Sequence, residues 1–324
     1  MEQLSLIKNS VKKDTNKATV GIIVYTAIMT VVVLVHAIVA TVIQIIKDPK
    51  SFLNPDGEAF ESFVGRLAES ALSTIIGVAA GVLFLSLFFK KHHLFKRIFV
   101  SSKRMSLTGF LELMCVFLGI QFVFSILVSV TETLLNCLGL TSLAGIETAT
   151  GTSSTVSMFM YISFIAPIVE ELVFRGFILR KLEPHGKVFA IAVSSILFGF
   201  MHMNIYQNIF GVLIGFILGY TAIEYGIKWA IALHMINNFV FGELFNKLTA
   251  TLSDETQSII LLAVELVLFL GAILITVLKR AKIKAYITEN RITDNKLKHA
   301  FTTVSIIIYL IVCVLFSFLG ISKI

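Results

Sequence analysis

The sequence predicts an all-α, polytopic integral membrane protein with about nine transmembrane helices. Three observations predict it. Hydrophobic residues make up 56% of the 324-residue chain and mean hydropathy is +0.90, more apolar than soluble domains. The apolar residues fall in long blocks, whereas a barrel strand alternates, so a β-barrel is excluded. The connections between blocks alternate in charge, as the excess of Lys and Arg in cytoplasmic loops requires.

The first eighteen residues are polar and basic, with Lys8, Lys12, Lys13 and Lys17. No small-residue cleavage site closes the apolar run that follows, so that run is expected to be a retained helix and not a signal peptide. Spans are expected near 19–46, 68–89, 109–133, 156–179, 187–203, 206–226, 229–246, 258–278 and 301–320. The second loop, "KKHHLFKRIFVSSKR", and the eighth, "KRAKIKAYITENRITDNKLK", are strongly basic. The fourth and sixth also carry Lys or Arg, while the third has none and the first is as acidic as basic. This places the N-terminus in the cytoplasm and the C-terminus outside. It also accounts for the net charge of +7 without nucleic acid as a partner. The third loop is rich in Gly, Ser and Thr and reads as a flexible external connection. Cys115, Cys137 and Cys313 lie in or beside apolar spans and read as packing residues. Residues 1–150 form an expected N-terminal three-helix part, 151–250 a core, and 251–324 a C-terminal two-helix part.

The core is set apart by polar residues inside its spans. "IVEELVFRG" carries Glu170, Glu171 and Arg175; "FGFMHMN" carries His202 and Asn204; "HMINN" carries His234, Asn237 and Asn238. Charge inside a bilayer is costly and normally faces the bundle interior or a wet cavity. Glu171 and Arg175 are four residues apart and share a helical face, as do Phe198 and His202, and His234 and Asn238. Glu170 lies about 100° round from Glu171, so it is freer of the arginine. Two carboxylates, imidazoles and carboxamides suit catalysis, although Glu171 and Arg175 read equally well as a packing ion pair. Glu265, alone in the eighth span, reads either as a structural hydrogen-bonder or as a cavity wall. Glu112, Glu224 and Glu243, near span ends, are expected to reach water.

"EELVFR" fits EExxxR, "FGFMH" fits FxxxH and "HMINN" fits HxxxN, in that order. With these motifs the chain resembles the CPBP, or Abi, intramembrane proteases, related to the type II CAAX prenyl endopeptidases. The resemblance covers roughly residues 156–246. It implies hydrolysis of a peptide bond in a membrane-embedded or lipidated substrate, prenylated or bacteriocin-like. It also implies a water activated by Glu170 and His202, an oxyanion held by His234 and Asn238, and a site organised by Glu171 and Arg175, with Phe198 in support. A bacterial plasma membrane is the expected location, because that family is abundant there and no organelle signal is read.

No cofactor is favoured. Glu170, His202 and His234 could hold zinc with one open position, but HExxH is missing and a carboxamide is a poor zinc ligand. Competing readings are a non-proteolytic scaffold or bacteriocin-immunity protein using the same polar core for binding, and a transporter. Asn237, about 100° from Asn238, is expected to tolerate alanine. One expectation conflicts with the rest. Along straight helices Glu170, His202 and His234 would lie roughly 14, 22 and 8 Å below the cytoplasmic surface, so a shared site demands tilted or broken helices.

Overall fold

A computed structural model describes residues 2–50, 57–90, 94–143, 153 and 155–324. Most of the glycine- and serine-rich third loop, and the histidines of "KKHH" in the second, lie outside these residues.

Thirteen helices are described. They are α1 (Glu2–Lys47), α2 (Glu58–Glu69), α3 (Leu72–Phe88), α4 (Leu94–Ile98), α5 (Leu107–Asn136), α6 (156–182), α7 (Lys187–Phe200), α8 (Ile205–Glu224), α9 (227–249), α10 (Asp254–Leu278), α11 (Arg280–Glu289), α12 (Lys296–Phe301) and α13 (Val304–Phe318). Two-residue strands β1 (Leu140–Thr141) and β2 (Ser322–Lys323) pair antiparallel. Among the described residues five segments are long and apolar enough to cross a membrane: Glu2–Lys47, Phe60–Phe88 (most of α2 with α3), Leu107–Asn136, Ile205–Glu224 and Asp254–Leu278. Outward-facing aliphatic side chains such as Val31, Ile38, Val267 and Leu274 are half exposed or more, the surface that lipid covers.

Every expected span falls on a helix, with differences at the edges. α1 begins far earlier than the expected residue 19, because the polar start is packed against the bundle. Val11, Ala18 and Ile22 are fully buried, and Asp14 pairs with Lys181 at 2.6 Å and with His185 at 3.0 Å. The fifth and ninth spans are short helices of 14 and 15 residues. Cys313 is fully buried and Cys115 packs half-buried against Leu268 and Gly271, as expected, whereas Cys137 is exposed.

The loops sort to two ends. At one end Arg97 of the second loop meets Glu183 of the fourth at 2.7 Å. Lys103 of the second meets Glu224 beside the sixth at 3.1 Å, and Lys296 of the eighth donates to the His185 carbonyl at 3.0 Å. The hydrogen bond to Glu224 holds the Lys103 ammonium above the ordinary lysine range. At the other end Thr155 donates to the Glu69 carbonyl at 2.7 Å, and the Ser153 amide donates to Glu243 at 3.0 Å. The C-terminal β2 also pairs there, against the start of the third loop. Glu224 and Glu243 do not reach water as expected: each is about 1% exposed and covered by lysines, Lys187 at 2.6 Å and Lys247 at 3.2 Å respectively. A lysine stem can bury its apolar length while its ammonium pairs with the carboxylate.

α7 and α8 cross at very short range. A Cβ at Gly199 would collide with the Asn208 carbonyl and sit 2.7 Å from the Val212 amide, and one at Gly215 would sit 2.9 Å from Ser195 Cβ. Small residues allow such backbone approach in membrane bundles. The crossing brings Phe198 and His202, on either side of Gly199, against α8.

Candidate active site

The site is built from helices that depart from α-geometry where its residues stand. In α6 a π-helical turn, Tyr161–Ile165, precedes Ala166–Glu171, and a second, Leu172–Leu179, follows it. Such turns occur mostly at functional sites. Pro167 explains one consequence. In the first π-turn the Ala166 amide bonds to the Tyr161 carbonyl, so the next donor, for Ile162, would be residue 167. Proline has no N–H. The orphaned Ile162 carbonyl instead accepts from Asn238 Nδ2 of α9 at 3.1 Å. α9 itself turns π-helical at Asn238–Leu244.

α7 stops at Phe200, and His202 lies in the turn beyond it. Met203 takes a left-handed φ of 50°, and the Asn204 side chain then caps α8 by accepting from the amides of Tyr206 and Gln207. Asn204, grouped by sequence with the polar core residues, is therefore a helix cap. These breaks remove the conflict in depth: Glu170, His202, His234 and Asn238 all line one cavity of about 610 Å³.

Glu171 is fully buried and does not line that cavity. Its Oε1 accepts from Arg175 at 2.8 Å and from His234 Nδ1 at 3.0 Å, while its Oε2 has no partner. Arg175 also donates to the Gly215 carbonyl at 3.3 Å and lies 4.2 Å from the centre of the Phe198 ring. Phe198 meets His202 and His234 edge-on, with centroids 5.1 and 5.8 Å away. One aromatic ring thus spaces the arginine from both imidazoles.

His234 lies between the two glutamates. Its Nδ1 bonds Glu171, and its Nε2 stands 3.7 Å from Glu170 Oε2. His202 Nδ1 is 3.1 and 3.2 Å from the carbonyls of Phe198 and Gly199. Both partners are acceptors, so Nδ1 carries a proton and Nε2 is the ring nitrogen left for the cavity. Among the described residues no three His, Cys, Asp or Glu side chains are grouped so as to hold a metal ion. Glu170, His202 and His234, the residues that could hold zinc, share a cavity without forming a ligand cluster.

Residues 152–240 match the family described as type II CAAX prenyl endopeptidase Rce1-like. This segment is similar to an Rce1-like domain. It covers a little over a quarter of the chain and holds all three motifs. The family that this segment matches is one of proteases, and the five membrane-length segments among the described residues suit a membrane protein. Comparison with curated proteins and with solved structures returned no match.

The sequence reading missed part of the site. Gln121 of α5, outside the Rce1-like domain, donates to Asn237 Oδ1 at 2.8 Å, and Asn237 donates to Asn238 Oδ1 at 3.2 Å. Asn237 is only 6% exposed and belongs to this hydrogen-bonded chain. It sets the amide orientation of Asn238, because a carboxamide oxygen that accepts one bond fixes where its NH₂ points. The available signal was a polar stripe in an otherwise apolar helix: Gln121, Ser125 and Ser129, each four residues apart, all line the cavity.

Proposed function

We propose that the chain is an intramembrane endopeptidase that hydrolyses a peptide bond of a membrane-associated substrate with a water activated by Glu170. The observation that carries this reading is His234, placed between Glu170 and Glu171 on the wall of a cavity that also holds His202 and Asn238. Glu170 takes a proton from water while His202 Nε2 accepts the water's other hydrogen. The oxygen adds to the scissile carbonyl. Asn238 has one amide hydrogen on Ile162 and a second for the oxyanion. His234 spends Nδ1–H on Glu171, so donation from Nε2 requires the doubly protonated ring. Collapse of the intermediate breaks the C–N bond, and the proton held by Glu170 passes to the leaving amine. Glu171 and Arg175 position His234 and do not touch the reacting atoms.

The proposal includes nine crossings of a bacterial plasma membrane with the N-terminus cytoplasmic. The gathering of the N-terminal segment and the even loops at one end, and of odd loops with the C-terminus at the other, supports that count. We also propose a metal-independent reaction in a core spanning 151–250. The test is cleavage of labelled membrane-associated peptides, prenylated and unprenylated, by purified protein. Cleavage is expected to survive chelation, with zinc well below one per chain. Stoichiometric zinc, with activity lost to chelator and restored by zinc, overturns the metal-free mechanism. A protein that binds such peptides and cleaves none supports the scaffold reading instead.

Asn238→Ala is expected to lower turnover by about 10² to 10³ with little change in KM, the usual cost of one oxyanion donor. Asn238→Asp should be as slow or slower, since it sets an anion beside a forming anion. Asn237→Ala should cost about tenfold, the size of one hydrogen bond, by releasing the Asn238 amide. Turnover and KM for the three variants on one peptide check this. A normal turnover with a raised KM in Asn238→Ala moves that residue to substrate binding.

A further inference from the structure

The cavity has a second wall outside the Rce1-like domain, formed by α5 and α10. These helices pack as a tight antiparallel pair: a Cβ at Gly119 would lie 2.9 Å from the Leu268 carbonyl oxygen and 3.0 Å from Ala272 Cβ. The pairing places Ser125 of α5 beside Glu265 of α10. Glu265 lines the same cavity as Glu170, is only 3% exposed, and its Oε2 has no hydrogen-bond partner.

An isolated carboxylate in an apolar wall is costly unless something pairs with it. Among the described residues Glu265 has the Ser125 hydroxyl as a hydrogen-bonding neighbour but no cation: none of the ion pairs there involves it. The cavity is lined by two carboxyl side chains and by no Lys or Arg. Carboxyl groups between low-dielectric walls concentrate positive charge and disfavour negative charge, and Glu265 has no imidazole paired with it, whereas Glu170 has His234 at 3.7 Å. A buried polar group left unpaired by the wrong ligand gives stronger discrimination than an apolar pocket can. Glu132 of α5 differs: its carboxylate is filled within the bundle, taking Tyr206, Thr141 and the Ser142 amide at 2.5 to 2.9 Å.

We propose that Glu265, aided by Ser125, is a specificity-determining residue that receives a basic side chain of the substrate peptide. The inference rests on the peptidase reading and adds to it the charge of the substrate. A peptide presenting lysine or arginine to the α5–α10 wall is selected, and one presenting a carboxylate there is excluded.

The experiment uses the full chain in lipid nanodiscs and a series of fluorescent, farnesylated peptides. Lysine, its uncharged analogue norleucine, or glutamate is placed in turn at each position. Cleavage and equilibrium binding by anisotropy are both measured. Wild type should prefer lysine over norleucine at one position by tenfold or more in kcat/KM. Glu265→Gln should erase that ratio, Ser125→Ala should reduce it, and Glu265→Lys should move the preference to glutamate. Ser125→Ala carries the test if a Glu265 variant fails to melt cooperatively. A wild type indifferent to charge at every position, or a lysine preference that survives in Glu265→Gln, overturns the proposal. If no peptide is cleaved but the lysine peptide binds wild type more tightly than Glu265→Gln, the peptidase reading falls and the subsite stands.

Discussion

Replacing Glu170 by Gln is expected to abolish cleavage, lowering kcat by about 10³ to 10⁴ while melting temperature stays near that of wild type. General-base catalysis by a positioned side chain contributes about 10² to 10⁴. The upper part of that range applies because the alternatives nearby are already committed. Glu171 is fully buried and bonded to Arg175 and His234, and it does not reach the cavity. Glu265 stands on α10, outside the segment that carries Glu170, and is assigned to substrate. Stability should hold because Gln keeps the volume, Glu170 is partly exposed to the cavity, and its nearest ionic neighbour, His234 Nε2, is 3.7 Å away, beyond a firm hydrogen bond. Single-turnover rates on a cleavable peptide, with a melting curve for each protein, decide it. Activity within a few-fold of wild type removes Glu170 from the base role.

Arg175→Ala should act through the fold. The guanidinium is 1% exposed and holds three things at once: the Glu171 carboxylate, the Gly215 carbonyl and the face of Phe198. Removing one partner of a buried ion pair costs about 3–5 kcal/mol, because the remaining charge is left uncompensated. Here the remaining charge is Glu171, whose Oε2 already lacks a partner. Its only other bond is to His234, so the imidazole loses its fixed orientation along with the stability. Lower yield, a lower melting temperature and reduced turnover should appear together. Arg175→Lys, which keeps the charge but not the planar fork, should fall between. An Arg175→Ala protein that melts like wild type yet does not cleave assigns Arg175 to substrate or chemistry.

The sequence by itself determined the membrane-protein class, most helix positions to within a few residues, the start of α1 excepted, and the motif residues. Hydrophobic block length, loop charge and the cost of ionisable groups in a bilayer are all properties of local composition. The i, i+4 pairing of Glu171 with Arg175 was legible for the same reason, since both ends lie on one helix. What only the tertiary structure decided depends on departures from regular helix geometry and on contacts between distant spans. Straight-helix arithmetic put Glu170, His202 and His234 at different depths. Pro167, the π-turns and the left-handed Met203 place them round one cavity. Pairing rules on one helix could not show that Asn237 of α9 is tied to Gln121 of α5, or that Glu265 of α10 faces the cavity of Glu170. Those contacts join residues more than 90 positions apart, and helix packing sets them, through close approaches at glycines such as Gly119 and Gly199, in a way that no single span's sequence encodes.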